Sequence, residues 1–317
     1  MNLKFKPVVW VAEPDELAIK NKQLLELNFD VVYQKITASE LKQVFTQCDV
    51  LFFKLAFRIH EFDLDPHQRC KIIATPVTGL DHIDLAACDR YNIRVISLKG
   101  ATGFLKEVRA TAEHTMALML CLIRNIVPAA NHVSSNQFNR NAFKGTELFQ
   151  KTLGIIGYGR LGKIVAEYAI AFDMKICCFE IDKSKHIQHH KIQFCELDTL
   201  LAESDIISIH IDLNEGNEGF INKEFFSKIK KRAFLINTSR GNLVIEEDLV
   251  DALKSGQLAG AALDVVRNEP EIQFSDTLYH YHKQHDNLII TPHIGGLTLE
   301  SSEKTEAYII DQIIASV

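Results

Sequence analysis

The run Thr152–Gly162, TLGIIGYGRLG, constrains this chain more than any other stretch. Apolar Leu153-Gly154-Ile155-Ile156 reads as a strand that enters a glycine turn, Gly157-Tyr158-Gly159-Arg160-Leu161-Gly162. Lys163-Ile164-Val165-Ala166-Glu167-Tyr168-Ala169 then reads as a helix. In such a unit the first glycine permits a sharp turn and the second lets a pyrophosphate approach the main chain. The third lets helix and strand pack closely. The helix N-terminus offers unpaired N–H groups to phosphate oxygens. A GxGxxG alone is weak, because a glycine turn need bind nothing. Here a second apolar strand, Lys175-Ile176-Cys177-Cys178-Phe179, ends in Glu180, 18 residues after Gly162. An acid at about 20 residues grips the adenosine ribose through its hydroxyls. A carboxylate there also repels a 2′-phosphate, so the pattern predicts NAD rather than NADP.

At 317 residues the chain is long for one core and suits two domains. Its 47% hydrophobic and 24% charged residues are those of an ordinary globular protein. A net charge of −6 disfavours nucleic acid and anionic membrane as partners. The N-terminal apolar run before Glu13 is too short for a signal peptide. The uncharged run Thr115–Ile123 is far below the ~18 residues a membrane span needs. The seven cysteines form no CxxC, and most sit in apolar runs. Free buried thiols in a reducing cytoplasm are therefore expected, not disulfides or a metal site.

Before the glycine turn, strands are expected at 5–12, 29–33, 50–53, 72–75 and 95–97. Helices are expected from Pro14 to Leu27, from Ala38 to Phe45 and around 85–91. That alternation predicts a parallel sheet with helices on both faces. A linking helix follows at 109–124, and the polar stretch Asn131–Gln150 reads as a surface linker. After it, six strands are expected, at 153–156, 175–179, 205–210, 233–237, 259–263 and 288–291. The closing helix, Leu299–Val317, most simply packs back on the first domain. The expected architecture is α/β with two doubly wound parallel sheets. A Rossmann-type cofactor domain, 104–296, is inserted in a flavodoxin-like substrate domain made of 1–103 and 297–317.

Ligands of open parallel sheets bind beyond the carboxyl ends of the strands. Three strands of the second domain end in Thr238-Ser239-Arg240-Gly241, in Asp264 followed by Glu269-Pro270, and in Pro292-His293-Ile294-Gly295-Gly296. One rim thus receives an Arg, acids and a His. A guanidinium matches a carboxylate bidentately. An imidazole exchanges protons near neutrality. A carboxylate bonded to that imidazole fixes its tautomer. With NADH these groups predict a 2-oxo acid reductase. Arg240 holds the substrate carboxylate, His293 protonates the carbonyl oxygen and Glu269 orients His293. Asp264 is assigned to the nicotinamide end.

These segments resemble the D-isomer-specific 2-hydroxyacid dehydrogenases. TLGIIGYGRLGK, INTSRG, ALDVVRNEP and TPHIGG carry the likeness, with TGLDHIDLAACDRYNIRVISLKG and RATAEHTMALML in support. The resemblance covers about 71–296 and is greatest to the shorter 3-phosphoglycerate dehydrogenase-like members, without their regulatory domain. It implies Arg240, Glu269 and His293 as catalytic trio and a homodimer built through the cofactor domains. The cofactor-binding candidates are Gly157, Gly159, Arg160, Leu161, Gly162, Glu180, His210, Thr238 and Asp264. Lys54, Thr78 and Gly79 join Arg240 as substrate-binding candidates. The substrate is left open between 3-phosphoglycerate and the hydroxypyruvate/glyoxylate class.

Some residues depart from the family pattern. His210-Ile211-Asp212 has no proline two residues after the His, and Asp212 further disfavours NADP. Phe53-Lys54-Leu55-Ala56-Phe57-Arg58 is not the small polar loop of the phosphoglycerate enzymes. Lys54 could serve as a point charge for an anion, while Leu55 and Phe57 point to a more apolar pocket. The Lys99–Lys106 loop is a further candidate wall. His186, His189 and His190 read as solvated surface, and His114 as a packing or supporting residue of the linking helix. The alternative function is a dinucleotide-sensing, corepressor-like protein without turnover; the absence of a disordered extension argues against it.

Overall fold

The computed structural model describes residues 6–317. The chain forms two compact domains, one of residues through Val108 plus Leu297–Val317 and the other of Arg109–Gly296. The division falls after 108 rather than after 103 because Leu105 and Val108 are buried in the first domain's core, with Ile96, Leu98 and Ile310.

The first domain runs β1 (Val8–Val11), α1 (Ile19–Asn28), β2 (Asp30–Tyr33), α2 (Leu41–Gln47), β3 (Val50–Phe52), β4 (Ile72–Ala74), α3 (Leu85–Arg90) and β5 (Arg94–Ile96). The first expected strand began at Phe5, which lies outside the described residues. The helix expected from Pro14 is split. Pro14–Glu16 makes one 3₁₀ turn, then Leu17 is extended and dips into the core before α1 begins. All strand pairs are parallel, in the order β2-β1-β3-β4-β5. This is the flavodoxin-like order, whose switch point lies between β1 and β3.

The second domain opens with α4 (Ala110–Ile123) and α5 (Ile126–Ser134). Asn125, in left-handed backbone with φ 53°, separates the two helices. Part of the expected linker is therefore helical. Periodicity concealed α5 because Ile126, Val127 and Val133 are exposed rather than packed in this domain's core. There follow β6 (Thr152–Ile156), α6 (Arg160–Ala171), β7 (Lys175–Phe179), β8 (Ile192–Phe194), α7 (Leu197–Glu203), β9 (Ile206–Ile209), α8 (Lys223–Lys228), β10 (Ala233–Asn237), α9 (Glu246–Lys254), β11 (Leu258–Leu263), α10 (Thr277–Gln284) and β12 (Leu288–Ile290). The chain then returns to the first domain as α11 (Leu299–Ile314), whose Ile309, Ile310 and Ile313 are buried there with Val9 and Val11 of β1.

The second sheet has seven parallel strands, not six, in the order β12-β11-β10-β9-β6-β7-β8. The extra strand, β8, is three residues long and only partly buried, too short and too polar to register as a strand in sequence. β6, β9 and β11 are covered on both faces, so they read as continuous apolar runs.

One cysteine expectation is corrected. Cys177 and Cys195 form a disulfide, with Cα atoms 6.6 Å apart. Cys177 stands opposite Gln193 in the β7–β8 pairing, so Cys195 is its diagonal neighbour on the same face. That proximity is created by β8 and is invisible in spacing along the chain. Cys48, Cys70, Cys88, Cys121 and Cys178 are free thiols. Among the described residues, no single helix is long and apolar enough to cross a membrane.

Candidate active site

The glycine turn connects β6 to α6. Gly157 has φ +96°, and a Cβ there would lie 2.6 Å from the His210 carbonyl oxygen. At Gly162 a Cβ would meet the Gly157 carbonyl at 2.2 Å, so helix and turn require the missing side chain. At Gly159, by contrast, a Cβ would have no neighbour within 4 Å. That open space faces main chain at the N-terminus of the 12-residue α6, as a diphosphate requires. Arg160 and Leu161 are the first two residues of α6 and are partly buried.

Glu180 stands just beyond β7. Its Oε2 accepts the Tyr158 N–H at 2.9 Å, and its Oε1 accepts the Asp182 N–H at 2.9 Å. The turn's own backbone thus holds the carboxylate in place, with lone pairs left over for further donors. Tyr158 lies edge-on to Phe194, on which His186 stacks at 4.0 Å. His186 also contacts the Glu180 carbonyl through Nε2 at 3.1 Å. No cluster of three or more potential metal ligands occurs among the described residues.

Beyond β9, His210 is partly buried, with Nε2 bonded to Ser208 Oγ at 2.8 Å and Nδ1 buried without a hydrogen-bond partner. Burial pushes its pKa down to about 4. Unfolded histidine titrates near 6.5, so the unfolded state gains a proton first as pH falls. The neutral ring's contribution is therefore complete above pH ~6.5 and is lost as pH drops toward 4. Denaturant unfolding at pH 7 and 4.5 should show the wild type losing about 2–3 kcal/mol more than His210→Gln across that interval. Equal losses would contradict a neutral His210.

The candidate catalytic residues follow β10, β11 and β12, adjacent strands of the sheet. Arg240 comes three residues after β10; its Nη1 donates to the Ser239 carbonyl at 2.7 Å, and its own carbonyl accepts from Asn237 Nδ2 at 2.9 Å. Ser239 Oγ donates to the Ile211 carbonyl, tying this turn to the segment after β9. The Thr238 hydroxyl meets Thr115 Oγ1 of α4 at 2.8 Å. Because Thr115 donates to the Thr111 carbonyl, Thr238 is the donor and its hydroxyl is already committed.

Asp264 is buried just after β11. Its Oδ1 accepts from Thr291 Oγ1 at 2.6 Å and the Ile294 N–H at 2.9 Å, and Oδ2 accepts the Gly295 N–H at 2.7 Å. His114 Nε2 lies 3.1 Å from both Asp264 Oδ1 and Thr291 Oγ1. Since Thr291 gives its proton to Asp264, Nε2 is the protonated nitrogen of His114. Burial pushes the Asp264 carboxyl up, but the bonds from His114, Thr291, Ile294 and Gly295 outweigh it and hold the group below its usual range. Sequence spacing could not reveal this tie, which joins residues 150 positions apart.

The same network shapes the loop of His293. That residue has left-handed backbone, φ 53°, and its N–H bonds the Asp264 carbonyl at 2.9 Å. His293 Nδ1 lies 2.6 Å from Glu269 Oε2, while Glu269 Oε1 accepts the Val266 N–H at 2.8 Å. An imidazole bonded to a carboxylate through Nδ1–H leaves Nε2 for proton exchange.

In the first domain, Lys54 and Thr78–Gly79 lie on loops beyond β3 and β4. Lys54 Nζ is 3.0 Å from Glu306 Oε1 of α11. Phe57, expected to line a pocket, is instead buried in the core and stacks on Phe53 at 4.8 Å. Phe104, on the other candidate wall, stacks on Tyr308 of α11 at 4.4 Å. Thr78 is exposed and Gly79 partly so.

A doubly wound sheet with this glycine turn, a carboxylate fixed beside it and a histidine bonded to a glutamate has the form of a nicotinamide-dinucleotide oxidoreductase. A family model described as the NAD-binding domain of D-isomer-specific 2-hydroxyacid dehydrogenases matches residues 116–295. The chain is 34% identical to a hydroxypyruvate reductase of Thermotoga maritima over 295 residues, 93% of this chain and 92% of that protein. It is 33% identical to a D-3-phosphoglycerate dehydrogenase of Bacillus subtilis over 92% of this chain, but spans only 53% of that longer protein. The solved D-lactate dehydrogenase of Aquifex aeolicus, complexed with NAD and lactic acid, superposes with a TM-score of 0.82 at 27% identity, covering 98% of this chain and 95% of that one. The chain belongs to the D-isomer-specific 2-hydroxyacid dehydrogenase family. It is an NAD-dependent enzyme that transfers hydride between nicotinamide and a 2-hydroxy/2-oxo acid pair.

Proposed function

We propose that the enzyme reduces a short 2-oxo acid to its D-2-hydroxy acid at the rim formed by Arg240, Glu269 and His293. The observation that carries this reading is the 2.6 Å bond between His293 Nδ1 and Glu269, which leaves Nε2 as the proton-exchanging atom. Arg240, on the strand two places from that of His293, is the cation assigned to the substrate carboxylate. Bound NADH supplies the hydride. His293 delivers a proton to the carbonyl oxygen as it becomes an alkoxide, and in reverse it takes the hydroxyl proton. Glu269 stabilises the ring while it is charged. Asp264, held by four hydrogen bonds, is rigid enough to position the nicotinamide end, and Glu180 receives the adenosine ribose. Thr78 and Gly79 are the first domain's own candidates for substrate contact. Water is best excluded during hydride transfer, which favours closure over the bound substrate.

The exposed apolar residues of α5, together with Phe138 and Phe149, support a homodimer formed through the cofactor domain. The names of the relatives support hydroxypyruvate, 3-phosphoglycerate or lactate as product or substrate classes. Purified enzyme should oxidise NADH, in preference to NADPH, with at least one of glyoxylate, pyruvate, hydroxypyruvate, 2-oxoglutarate and phosphohydroxypyruvate. No turnover across the panel would overturn the reading and leave a dinucleotide-binding protein without this reaction.

A further inference from the structure

Two neighbouring residues of one helix hold the three turns that carry the candidate catalytic residues. His114 and Thr115 lie in the second turn of α4, whose Ala112, Met116 and Met119 are buried in one core with Leu153 and Ile155 of β6. Thr115 bonds Thr238, just beyond β10, at 2.8 Å. His114 Nε2 lies 3.1 Å from Asp264 Oδ1, just beyond β11, and 3.1 Å from Thr291 Oγ1, just beyond β12. Asp264 is 2% exposed, so its carboxylate takes its donors from the protein. They are His114, Thr291 and the N–H groups of Ile294 and Gly295, the two residues that follow His293. The His293 N–H itself reaches the Asp264 carbonyl at 2.9 Å. His293 has φ 53°, a left-handed conformation that a residue with a side chain keeps only where its surroundings over-determine it. Asp264 supplies those surroundings from both its backbone and its side chain. The packing is close, since a Cβ at Gly295 would lie 2.7 Å from Asp264 Oδ2. Of these donors to the carboxylate, His114 alone comes from outside the 291–295 segment. It therefore ties Asp264, and with it the backbone on either side of His293, to α4.

We propose that His114 is a positioning residue for the reduction: by donating to Asp264 it fixes the backbone that carries His293. The proposal rests on the reading of His293 as general acid–base and adds the residue that sets its place. Loss of the Nε2–H donor leaves a buried carboxylate short of a partner, which it relieves by turning away from Ile294 or Gly295. The loop then gains freedom at the residue that must meet the reacting oxygen. A displacement of about 1 Å at such a group costs on the order of 10²-fold in rate.

The test measures kcat and KM on the full-length enzyme, with NADH and whichever 2-oxo acid of the panel is turned over. His114→Phe keeps a ring but donates nothing, and should lower kcat by about 10–100-fold. KM for the 2-oxo acid should move much less, because the turn of Arg240 is held through Thr115 instead. His114→Gln sets an amide nitrogen as many bonds from Cα as Nε2 and should restore most of kcat. His114→Asn, whose amide stops one bond short, should lose as much as His114→Phe, and takes its place if the aromatic variant does not fold. Added to His293→Ala, either damaging substitution should cost roughly 3-fold or less, because the group it positions is gone. A histidine with only a structural role would not separate Gln from Asn, and its cost would add in full to that of His293→Ala. Full kcat in a folded His114→Phe or His114→Asn overturns the proposal and leaves the reductase reading standing. So does failure of His114→Gln to recover activity, or a full additive cost in the double variant. An unchanged kcat in His293→Ala defeats the reading of His293 and this proposal together.

Discussion

Replacing His293 by alanine should lower kcat by ~10²–10⁴-fold, the usual worth of a general acid–base. In barrier terms that is about 3–5 kcal/mol. The expectation rests on geometry: Nδ1 is committed to Glu269 at 2.6 Å, so Nε2 is the nitrogen that can face the reacting oxygen. Without the ring, water must protonate the incipient alkoxide, whereas the groups assigned to hold substrate and dinucleotide are untouched. KM for the 2-oxo acid should therefore move much less than kcat, and NADH should still bind, as its fluorescence would report. A kcat unchanged in the variant would remove His293 from the mechanism. A loss of NADH binding of the same size would mean that the substitution had damaged the Asp264 network instead.

The second large effect is expected at Arg240. Two charge-assisted hydrogen bonds from a guanidinium to a carboxylate contribute roughly 1.5–3 kcal/mol each. Arg240→Leu should accordingly reduce kcat/KM by ~10²-fold or more, with the loss shared between KM and orientation for hydride transfer. Arg240→Lys restores the charge but not the planar fork, so it should recover only part of the loss. The Asn237 and Ser239 contacts that brace the Arg240 turn involve its backbone and a neighbouring carbonyl, and a folded variant keeps the Asn237 contact. Full activity in Arg240→Leu would move the carboxylate site elsewhere on the rim.

Most of the candidate site was legible before any coordinates, because its residues sit where strands end. Arg240, Asp264 and His293 each follow an apolar run, and runs of that kind in an alternating β/α chain become parallel strands with a common carboxyl edge. Glu180 was legible for the same reason, at its fixed distance from the glycine turn. What spacing could not convey was pairing. Glu269 is 24 residues from His293; shared strand ends made their pairing an expectation, and only the folded chain closes the side chains to 2.6 Å. The His114–Asp264–Thr291 tie, the Cys177–Cys195 disulfide and the Lys54–Glu306 ion pair are of the same kind. Phe57 failed as a pocket residue because an aromatic beside a loop lysine reads equally well as wall or core, and here Phe53 stacks on it inside the core.

The strand β8 and helix α5 mark the limit for the fold itself. Both have weak apolar faces, and periodicity detects an element only through the surface it buries. The amino-acid order alone therefore determined the two parallel sheets, the glycine cradle and the three strand ends that carry the candidate residues, since each follows from local patterns of apolar runs, glycines and charge. Tertiary structure alone decided which of those charges are engaged: Glu269 with His293, His114 with Asp264, Lys54 with Glu306. The physical reason is that apolar periodicity is a local property of the chain, whereas the partner of a charged group is whatever distant segment the packing brings within about 3 Å of it.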